Sequence, residues 1–132
     1  MNELRNRIKQ INNFIIDLFY QYGFKKKERK ISNNFFEYIF IKNDLFIIFR
    51  GSSHPYDFPG FINIIVGKGD YTYPALDKNG YALWRIIRCK EKNCEFSEYK
   101  FEEIYDDDFM NKLKSDIDKY LKGFLTNGVI DW

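Results

Sequence analysis

The sequence predicts an α+β domain in which an antiparallel sheet of four to five strands packs against an N-terminal and a C-terminal helix. One stretch at each end of the chain has apolar side chains at spacings of three and four residues, the pattern of an amphipathic helix. Between them lie short apolar, aromatic and β-branched runs separated by Gly, Pro, Asn and Asp, which indicate strands and turns. The chain has 132 residues without an internal repeat. We therefore expect residues 1–132 to form a single domain.

The N-terminal helix is predicted from one apolar stripe. Glycine takes the left-handed conformation without a Cβ clash, so Gly23 is expected to end the helix. Arg5, Lys9, Asn12 and Asn13 fall largely off the stripe, which predicts a polar outer face. The residues of the stripe are Leu4, Ile8, Ile11, Ile15, Leu18 and Tyr22.

A compact basic run, GFKKKERK at 23–30, follows this helix. We expect Phe24 to fold back on the last helical turn. The lysines lie where helix carbonyl groups leave a partial negative charge, and cations are favourable there for structural reasons alone. The run is therefore interpreted first as a solvated turn that closes the helix.

Two strands joined by a tight turn are predicted from FFEYIFIKNDLFIIFR at 35–50. Lys42, Asn43 and Asp44 separate the two runs, and Asn and Asp tolerate the backbone angles of a hairpin turn. Neither run alternates cleanly with polar residues. Both faces of these strands are therefore expected to be covered.

A third strand, FINIIV at 61–66, follows a loop that contains two prolines. Proline lacks the amide hydrogen that a central strand needs, so Pro55 and Pro59 place 52–60 in a shaped loop. A second loop, 67–80, is predicted from its glycines, its proline and its Asn-Gly pair.

Two further segments are interpreted as a fourth and a weaker fifth strand, YALWRIIRC at 81–89 and CEFSEYKF at 94–101. A turn at 90–93 would join them, and a short helix in place of either strand is an open alternative. This hairpin would bring Cys89 and Cys94 close together.

The C-terminal helix is predicted to begin after an acidic run that suits the positive end of a helix dipole. Asp107 or Asp108 is expected to cap the first turn, and Asn127 and Gly128 are expected to end the helix. Its apolar stripe consists of Phe109, Leu113, Ile117, Tyr120, Leu121 and Phe124.

Bulk charge does not point to a nucleic-acid or membrane surface, because the formal net charge of +2 is close to neutrality. The first ten residues carry charges where a secretory signal needs an unbroken apolar core. No run approaches the roughly 18 apolar residues of a membrane span. We therefore expect a cytoplasmic protein with reduced cysteines and no membrane partner.

Catalytic and metal-binding patterns are incomplete in this sequence. Metal sites need several His, Cys or carboxylate ligands at fixed spacings. The chain has one His and one C-x4-C pair, so neither a metal nor another cofactor is expected. His54 is the only histidine for a Ser–His or Cys–His pair, and Ser52 and Ser53 lie too close to it along the chain. An enzyme of unknown class that uses His54 with Asp57 is one alternative.

A protein-binding surface is predicted on the two loops that flank the third strand. Tyrosine gives contact area at low entropy cost, and tyrosine-rich loops on a rigid sheet commonly bind proteins. The first hypothesis is therefore a non-catalytic protein-binding module. Its recognition residues are Arg50, His54, Tyr56 and Asp57, with Tyr71 and Tyr73 beside them.

Nucleic-acid binding is the other alternative, and it depends on the basic run. Its phosphate-binding residues would be Lys25, Lys26, Lys27 and Arg29, and exposed aromatic side chains could stack on bases.

The order of features resembles a group of small uncharacterised bacterial α+β domains. These open with an amphipathic helix that ends in a GFKKK-type turn, continue into an antiparallel sheet with an INIIVG-like strand, and close with a helix. The matching pieces here are Gly23–Lys27, Phe61–Gly67 and the Asp108–Leu125 helix. Domains of this kind resemble proteins of toxin-immunity loci and other accessory regions. The resemblance thus implies an immunity or accessory protein that binds another protein, and it brings no catalytic residues.

Overall fold

The computed structural model describes residues 2–32, 34–53, 60–72, 74, 78–91, 99–130 and 132. Helices lie at both ends of the described chain and strands lie mostly between them. In chain order the elements are α1 (Asn2–Tyr20), β1 (Lys25–Ile31), β2 (Phe35–Lys42), β3 (Leu45–Ser52), β4 (Phe61–Lys68), β5 (Gly80–Ala82), α2 (Leu83–Lys90), β6 (Tyr99–Lys100), a 3-10 helix (Phe101–Tyr105), α3 (Phe109–Tyr120) and α4 (Lys122–Asn127).

The six described strands form one antiparallel sheet with the order β1-β2-β3-β4-β5. β6 also pairs with β4, at the end where Phe61 and Ile62 lie. β5 pairs with the other end of the same strand, Ile65–Gly67. The predicted α+β fold with an antiparallel sheet is therefore confirmed.

Helix α1 packs its apolar stripe against one face of the sheet, as the spacing predicts. Gly23 has a φ of 90°, and the Phe24 amide donates to the Phe19 carbonyl at 3.1 Å, which reverses the chain after the helix. Phe24 is buried, and its ring stacks on Phe124 with centroids 6.0 Å apart. The buried residues of α1 are Ile8, Ile11, Asn12, Ile15, Leu18 and Phe19.

The tight hairpin at 35–50 is confirmed, because Lys42 lies opposite Leu45 across a two-residue turn. Asn43 takes a φ of 55°, a conformation that Asn adopts more readily than most residues. Phe46, Ile47, Ile48 and Phe49 of β3 are all buried. Both faces of this strand are therefore covered, in agreement with its unbroken apolar pattern.

The main core lies between the helices and one face of the sheet, and a smaller core lies on the other face. Alternate residues of β2, β3 and β4 enter the two cores, because successive strand residues point to opposite faces. The smaller core consists of Ile39, Phe46, Ile48, Ile65 and Ala82, with Ile41, Tyr71 and Trp84 packed against it.

The basic run does not form the predicted turn. Lys25–Ile31 is strand β1, paired in antiparallel fashion with β2, and its register shifts between Lys26 and Glu28. The run has no apolar periodicity, so its strand character comes from backbone hydrogen bonding to β2. The chain reversal at Gly23 positions it for that pairing.

The predicted fourth strand is mostly wrong, and the short helix that was the open alternative is present. Only Gly80–Ala82 is a strand, and α2 follows it. Leu83, Ile86 and Ile87 are buried, and their spacing of three and four residues is that of a helix face. Of the predicted fifth strand at 94–101, Tyr99–Lys100 is β6 and Phe101 begins the 3-10 helix, whereas 94–98 lies outside the described residues.

The C-terminal helix is present but divides at Leu121 into α3 and α4. The predicted cap is wrong for Asp108, which is the residue before α3 but makes no side-chain capping bond. Its carbonyl accepts the Lys112 amide at 3.0 Å, which is the ordinary backbone bond of a first helical turn. Gly128 ends α4 with a φ of 73° and donates to the Phe124 carbonyl at 2.8 Å, as the sequence predicts.

Candidate functional site

The outer side of strand β1 is a charged sheet edge. Within the described part of the chain, β2 is the only strand that pairs with β1. The strand carries five basic residues and one acidic residue, a net charge of +4 over seven positions. Lys25, Lys26, Lys27, Glu28 and Lys30 are exposed to solvent. We call this outer side of Lys25–Ile31 the β1 edge.

The register of β1 decides which of its residues face the helices. Lys26 and Ile31 lie opposite Phe40 and Phe36 of β2, whose side chains enter the main core. In the same register, the backbone of Arg29 pairs with that of Tyr38. The helix-facing side of the β1 edge therefore combines cationic and apolar positions.

The opposite face of β1 carries a second set of charges. Lys25 and Lys30 lie opposite Ile41 and Glu37, and Lys27 sits at the register shift as an extra residue of a bulge. Glu28, on the same face as Lys25, is the single acidic residue of the strand.

A groove of about 540 Å³ runs between α1 and β1. Its volume lies within the range of roughly 300–1,000 Å³ that is usual for ligand-binding clefts. Apolar and polar side chains share its walls, and no carboxylate is among its described lining. The lining residues are Ile8, Lys9, Asn12, Asn13 and Ile16 from α1, Lys26 and Ile31 from β1, and Tyr38 from β2.

Asn12 is the unusual residue of this α1–β1 groove. The residue is 6% exposed, and among the described residues its Oδ1 atom has no hydrogen-bond partner. A buried acceptor without a donor costs about 1–3 kcal/mol of stability. The prediction that Asn12 lies off the buried stripe is wrong. It follows Ile8 by four residues and precedes Ile15 by three, and this helical spacing could have identified it.

The exposed rim of the groove is cationic. Lys9 and Lys26 are both exposed and both line the groove, and Ile31 is 40% exposed beside them. A ligand here would meet positive charge at the entrance and apolar surface deeper in the groove.

The predicted loop surface is only partly within the described residues. Arg50 and Tyr71 are described, whereas His54, Tyr56, Asp57 and Tyr73 lie outside the described residues.

The structure does not bring Arg50 and Tyr71 to the same end of the sheet. Arg50 lies opposite Asn63, near the end of the strand pair where Ser52 lies opposite Phe61, and Tyr71 follows Lys68 at the other end of β4. An eight-residue strand is about 23 Å long. Ser52 and Lys68, the last residues of β3 and β4, therefore lie at opposite ends of the sheet.

Arg50 belongs to a polar row that crosses the face with the smaller core. Glu37, Arg50 and Asn63 lie opposite one another on β2, β3 and β4. The Arg50 guanidinium lies 5.8 Å from the centre of the Phe61 ring, and its buried Nε atom has no hydrogen-bond partner in the part of the chain that the structure describes. Arg50 is thus a second polar group with unused hydrogen-bonding capacity, but its row of side chains is not part of a described cavity.

A second cavity of about 310 Å³ lies near the C-terminal segment. Tyr81 and Trp132 meet edge to face in its wall, with ring centroids 5.1 Å apart. The Tyr81 hydroxyl donates to the Lys78 carbonyl at 3.1 Å, and the Asn79 amide donates to the Asp70 carbonyl at 3.0 Å. These polar groups already have partners, in contrast to Asn12 in the α1–β1 groove.

Two tyrosine hydroxyls donate hydrogen bonds to carboxylates, and these contacts shift the pKa values of Tyr99 and Glu91. Both contacts hold α3 against its neighbours. The Tyr99 hydroxyl donates to Asp116 at 2.6 Å, and burial, followed by this bond, raises the pKa of Tyr99 well above its ordinary value. The Tyr120 hydroxyl donates to Glu91 at 3.0 Å, and this bond is the main reason why the pKa of Glu91 is lowered. Neither pair lines a described cavity.

Metal ligands do not gather in the described part of the chain, where no group of three His, Cys, Asp or Glu side chains could hold an ion. Cys89 is exposed at the end of α2. Cys94 and His54 lie outside the described residues, so the proposed Cys89–Cys94 proximity and the His54 alternative stay predictions. Among the described helices, none is long and apolar enough to cross a membrane.

Comparison with protein-family models, with curated proteins and with solved structures gives no match for this chain. The resemblance to small bacterial immunity and accessory domains therefore stays a prediction.

Proposed function

We propose that this chain is a non-catalytic protein-binding module that takes up an acidic, extended segment of a partner protein along the β1 edge. The observation that carries the proposal is a seven-residue edge strand with a net charge of +4 whose outer side is unpaired within the described residues. A binding role of this kind agrees with the immunity or accessory function that the sequence resemblance implies.

Strand addition supplies the affinity in this proposal. An extended segment that pairs with a sheet edge forms main-chain hydrogen bonds, and its alternate side chains give specificity. Lysines on an edge strand disfavour pairing with another positive strand, whereas an acidic segment gains complementary charge. The same residues thus exclude a second copy of β1 and favour an acidic partner.

A charge-neutralised edge tests the proposal. The edge variant is Lys25→Gln with Lys27→Gln, which leaves the groove-lining Lys26 intact. The matched control is Lys114→Gln with Lys122→Gln, two exposed lysines on α3 and α4 that make the same change in net charge.

Each purified protein would capture partners from a nuclease-treated lysate of the source organism, with mass spectrometry and stoichiometry as the readout. We expect one stoichiometric protein that the wild type and the control retain and the edge variant loses. Equal retention by the edge variant would contradict the proposed interface.

The loop surface around Arg50 is a separate proposal for the same function. Replacing Tyr56 and Asp57 together by alanine leaves the β1 edge unchanged. Loss of the partner in this variant, with retention in the edge variant, would assign binding to the loop. Loss of the partner in both variants would show that the interface includes the β1 edge and the loop.

Nucleic-acid binding is a second candidate because the same exposed lysines could contact phosphates. Each lysine–phosphate contact that a substitution removes should reduce the slope of log affinity against log salt concentration by about 0.7 for a single strand and about 0.9 for a duplex. The edge variant should therefore bind a labelled single-stranded oligonucleotide with a slope smaller by roughly 1.4 if both lysines touch phosphate, because the lower value applies to single strands. Absence of oligonucleotide binding at low salt would exclude this candidate.

A further inference from the structure

We infer that the α1–β1 groove receives one side chain of the segment that pairs with the β1 edge, and that Asn12 selects a side chain with a hydrogen-bond donor. The inference rests on the proposed function, because it assigns a specificity to the same edge. It names the partner as an extended acidic segment with Thr, Asn or Gln at the position that faces the groove.

The position of the groove supports this assignment. The groove lies between α1 and β1 on the helix-facing side of the sheet, and a strand added to β1 would run along the entrance. Successive side chains of a strand point to opposite faces. Every second side chain of the partner would therefore point toward the groove, and those between would face the side of Lys25 and Lys30.

The chemistry of the walls defines the side chain that fits. Ile8 and Ile16 offer apolar surface to a short stem, and Lys9 and Lys26 make the entrance of the groove positive. The acidic side chains on either side of that stem would face Lys25 and Lys30. The Asn12 Oδ1 atom lacks a donor among the described residues. Asn12 lines the groove, so a hydroxyl or amide donor from the partner would complete its hydrogen bonding once the Asn12 side chain turns this oxygen toward the partner.

An apolar partner side chain leaves this acceptor unsatisfied. A site built to hydrogen-bond a donor rejects an analogue that lacks it, because the buried polar group then stays unpaired. Threonine and valine have nearly the same shape and differ in one donor group, so the pair isolates the contribution of Asn12.

The test uses two synthetic seven-residue peptides with blocked ends. Both have glutamate at the odd positions and valine at positions two and six, and they differ only in threonine or valine at position four. Affinities for the wild type, Asn12→Leu, the edge variant and its control are measured by fluorescence anisotropy. Asn12→Ala is included as a second variant, and thermal melting shows whether each protein is folded.

We expect the wild type to prefer the threonine peptide by about five- to tenfold, the ratio that one hydrogen bond of roughly 1 kcal/mol gives. Asn12→Leu and Asn12→Ala should bind both peptides equally. The affinity of the edge variant for both peptides should fall by the same factor. The affinities of the Lys114 and Lys122 control should equal those of the wild type. The side-chain amide signals of Asn12 in an NMR spectrum should shift more with the threonine peptide than with the valine peptide.

The possible failures are distinguishable. If the wild type binds both peptides equally and the edge variant loses both, the inference about Asn12 is wrong and the proposed edge survives. If Asn12→Leu keeps the preference for the threonine peptide, a group other than Asn12 accepts the threonine hydroxyl, and the inference is also wrong. If the folded wild type binds neither peptide, the proposed edge itself is contradicted.

Discussion

At the residue scale, two tyrosines that donate hydrogen bonds to carboxylates hold α3 in position. Tyr99 lies on β6 and Asp116 on α3, and Tyr120 on α3 reaches Glu91 just after α2. The Tyr99 ring also meets Phe109 edge to face, with centroids 5.6 Å apart. Each ring thus has an apolar body in the core and a hydroxyl with a charged acceptor, as buried tyrosines usually have.

Tyr99→Phe should lower the free energy of unfolding at pH 7 by about 1–2 kcal/mol, because it removes a hydrogen bond to a charged group. Burial raises the pKa of Tyr99 in the folded protein, so the unfolded chain loses this proton first, near pH 10. The stability that Tyr99 contributes is therefore present below pH 10 and falls above it.

Urea unfolding as a function of pH measures this effect, and the variant should lose stability less steeply than the wild type above about pH 10. The exposed Tyr105→Phe is the matched control. Identical alkaline curves for the wild type and Tyr99→Phe would contradict the assignment.

Tyr120→Phe should raise the pKa of Glu91 toward its ordinary value. The Tyr120 hydrogen bond is the largest cause of the lowered pKa, and the nearby Lys119 ammonium, 3.4 Å from the same carboxylate oxygen, is the next. The stability from Glu91 is present above its unfolded pKa and is lost as the pH falls through its lower folded pKa. Carbon-detected NMR titration of the Glu91 carboxyl gives the value directly, with Lys122→Gln as the control. An unchanged Glu91 pKa in Tyr120→Phe would refute the claim.

At the element scale, the hairpin β2–β3 was predictable and strand β1 was not. The hairpin follows from two apolar runs around Asn43 and Asp44, a signal that local chemistry contains. Strand β1 has no apolar pattern, and its state depends on the pairing partner that the reversal at Gly23 brings beside it. Helix α2 has a local signal in the spacing of Leu83, Ile86 and Ile87, but its β-branched and aromatic residues also favour a strand.

Neutralising the β1 edge should make the protein associate with itself. Two copies of β1 repel each other at a net charge of +4 each, and Lys25→Gln with Lys27→Gln halves that charge. Exposed edges without such charges are templates for pairing with another chain.

Sedimentation velocity at rising protein concentration should show a larger dimer fraction for this edge variant than for the wild type. The Lys114 and Lys122 control carries the same net charge, so it separates an edge effect from a general loss of repulsion. Equal association of the edge variant and the control would show that the edge lysines do not prevent pairing.

At the scale of the whole molecule, the charges separate along the chain although the total is near neutral. Residues 1–42 contain nine basic and four acidic residues, a net charge of +5, and 99–132 contain five and eight, a net charge of −3. Arg7 belongs structurally to the acidic part, because its Nε donates to the Ile104 carbonyl at 2.9 Å. Five of the other eight basic residues of 1–42 lie on β1, so an acidic ligand would be oriented toward that edge.

The candidate site was harder to predict than the fold, because it joins residues that are distant in sequence. Lys9 and Asn12 come from α1, whereas Lys26 and Ile31 come from β1. The sequence places the helix correctly, but the groove exists only because β1 is a strand. The loop residues with Pro, Tyr and His were a more conspicuous signal, and four of the six lie outside the described residues.

Asn12→Leu should increase the free energy of unfolding, because the buried Oδ1 atom of Asn12 has no hydrogen-bond partner among the described residues. Leucine keeps the branched shape, removes a buried acceptor without a described partner and has the higher helix propensity. We expect a gain of about 1–2 kcal/mol in urea unfolding, whereas Asn13→Leu at the exposed neighbouring position should gain only a few tenths. A loss of stability in Asn12→Leu would show that Asn12 is a packing residue. A gain in stability together with a loss of threonine selectivity is the combination expected where local stability is reduced at a functional site.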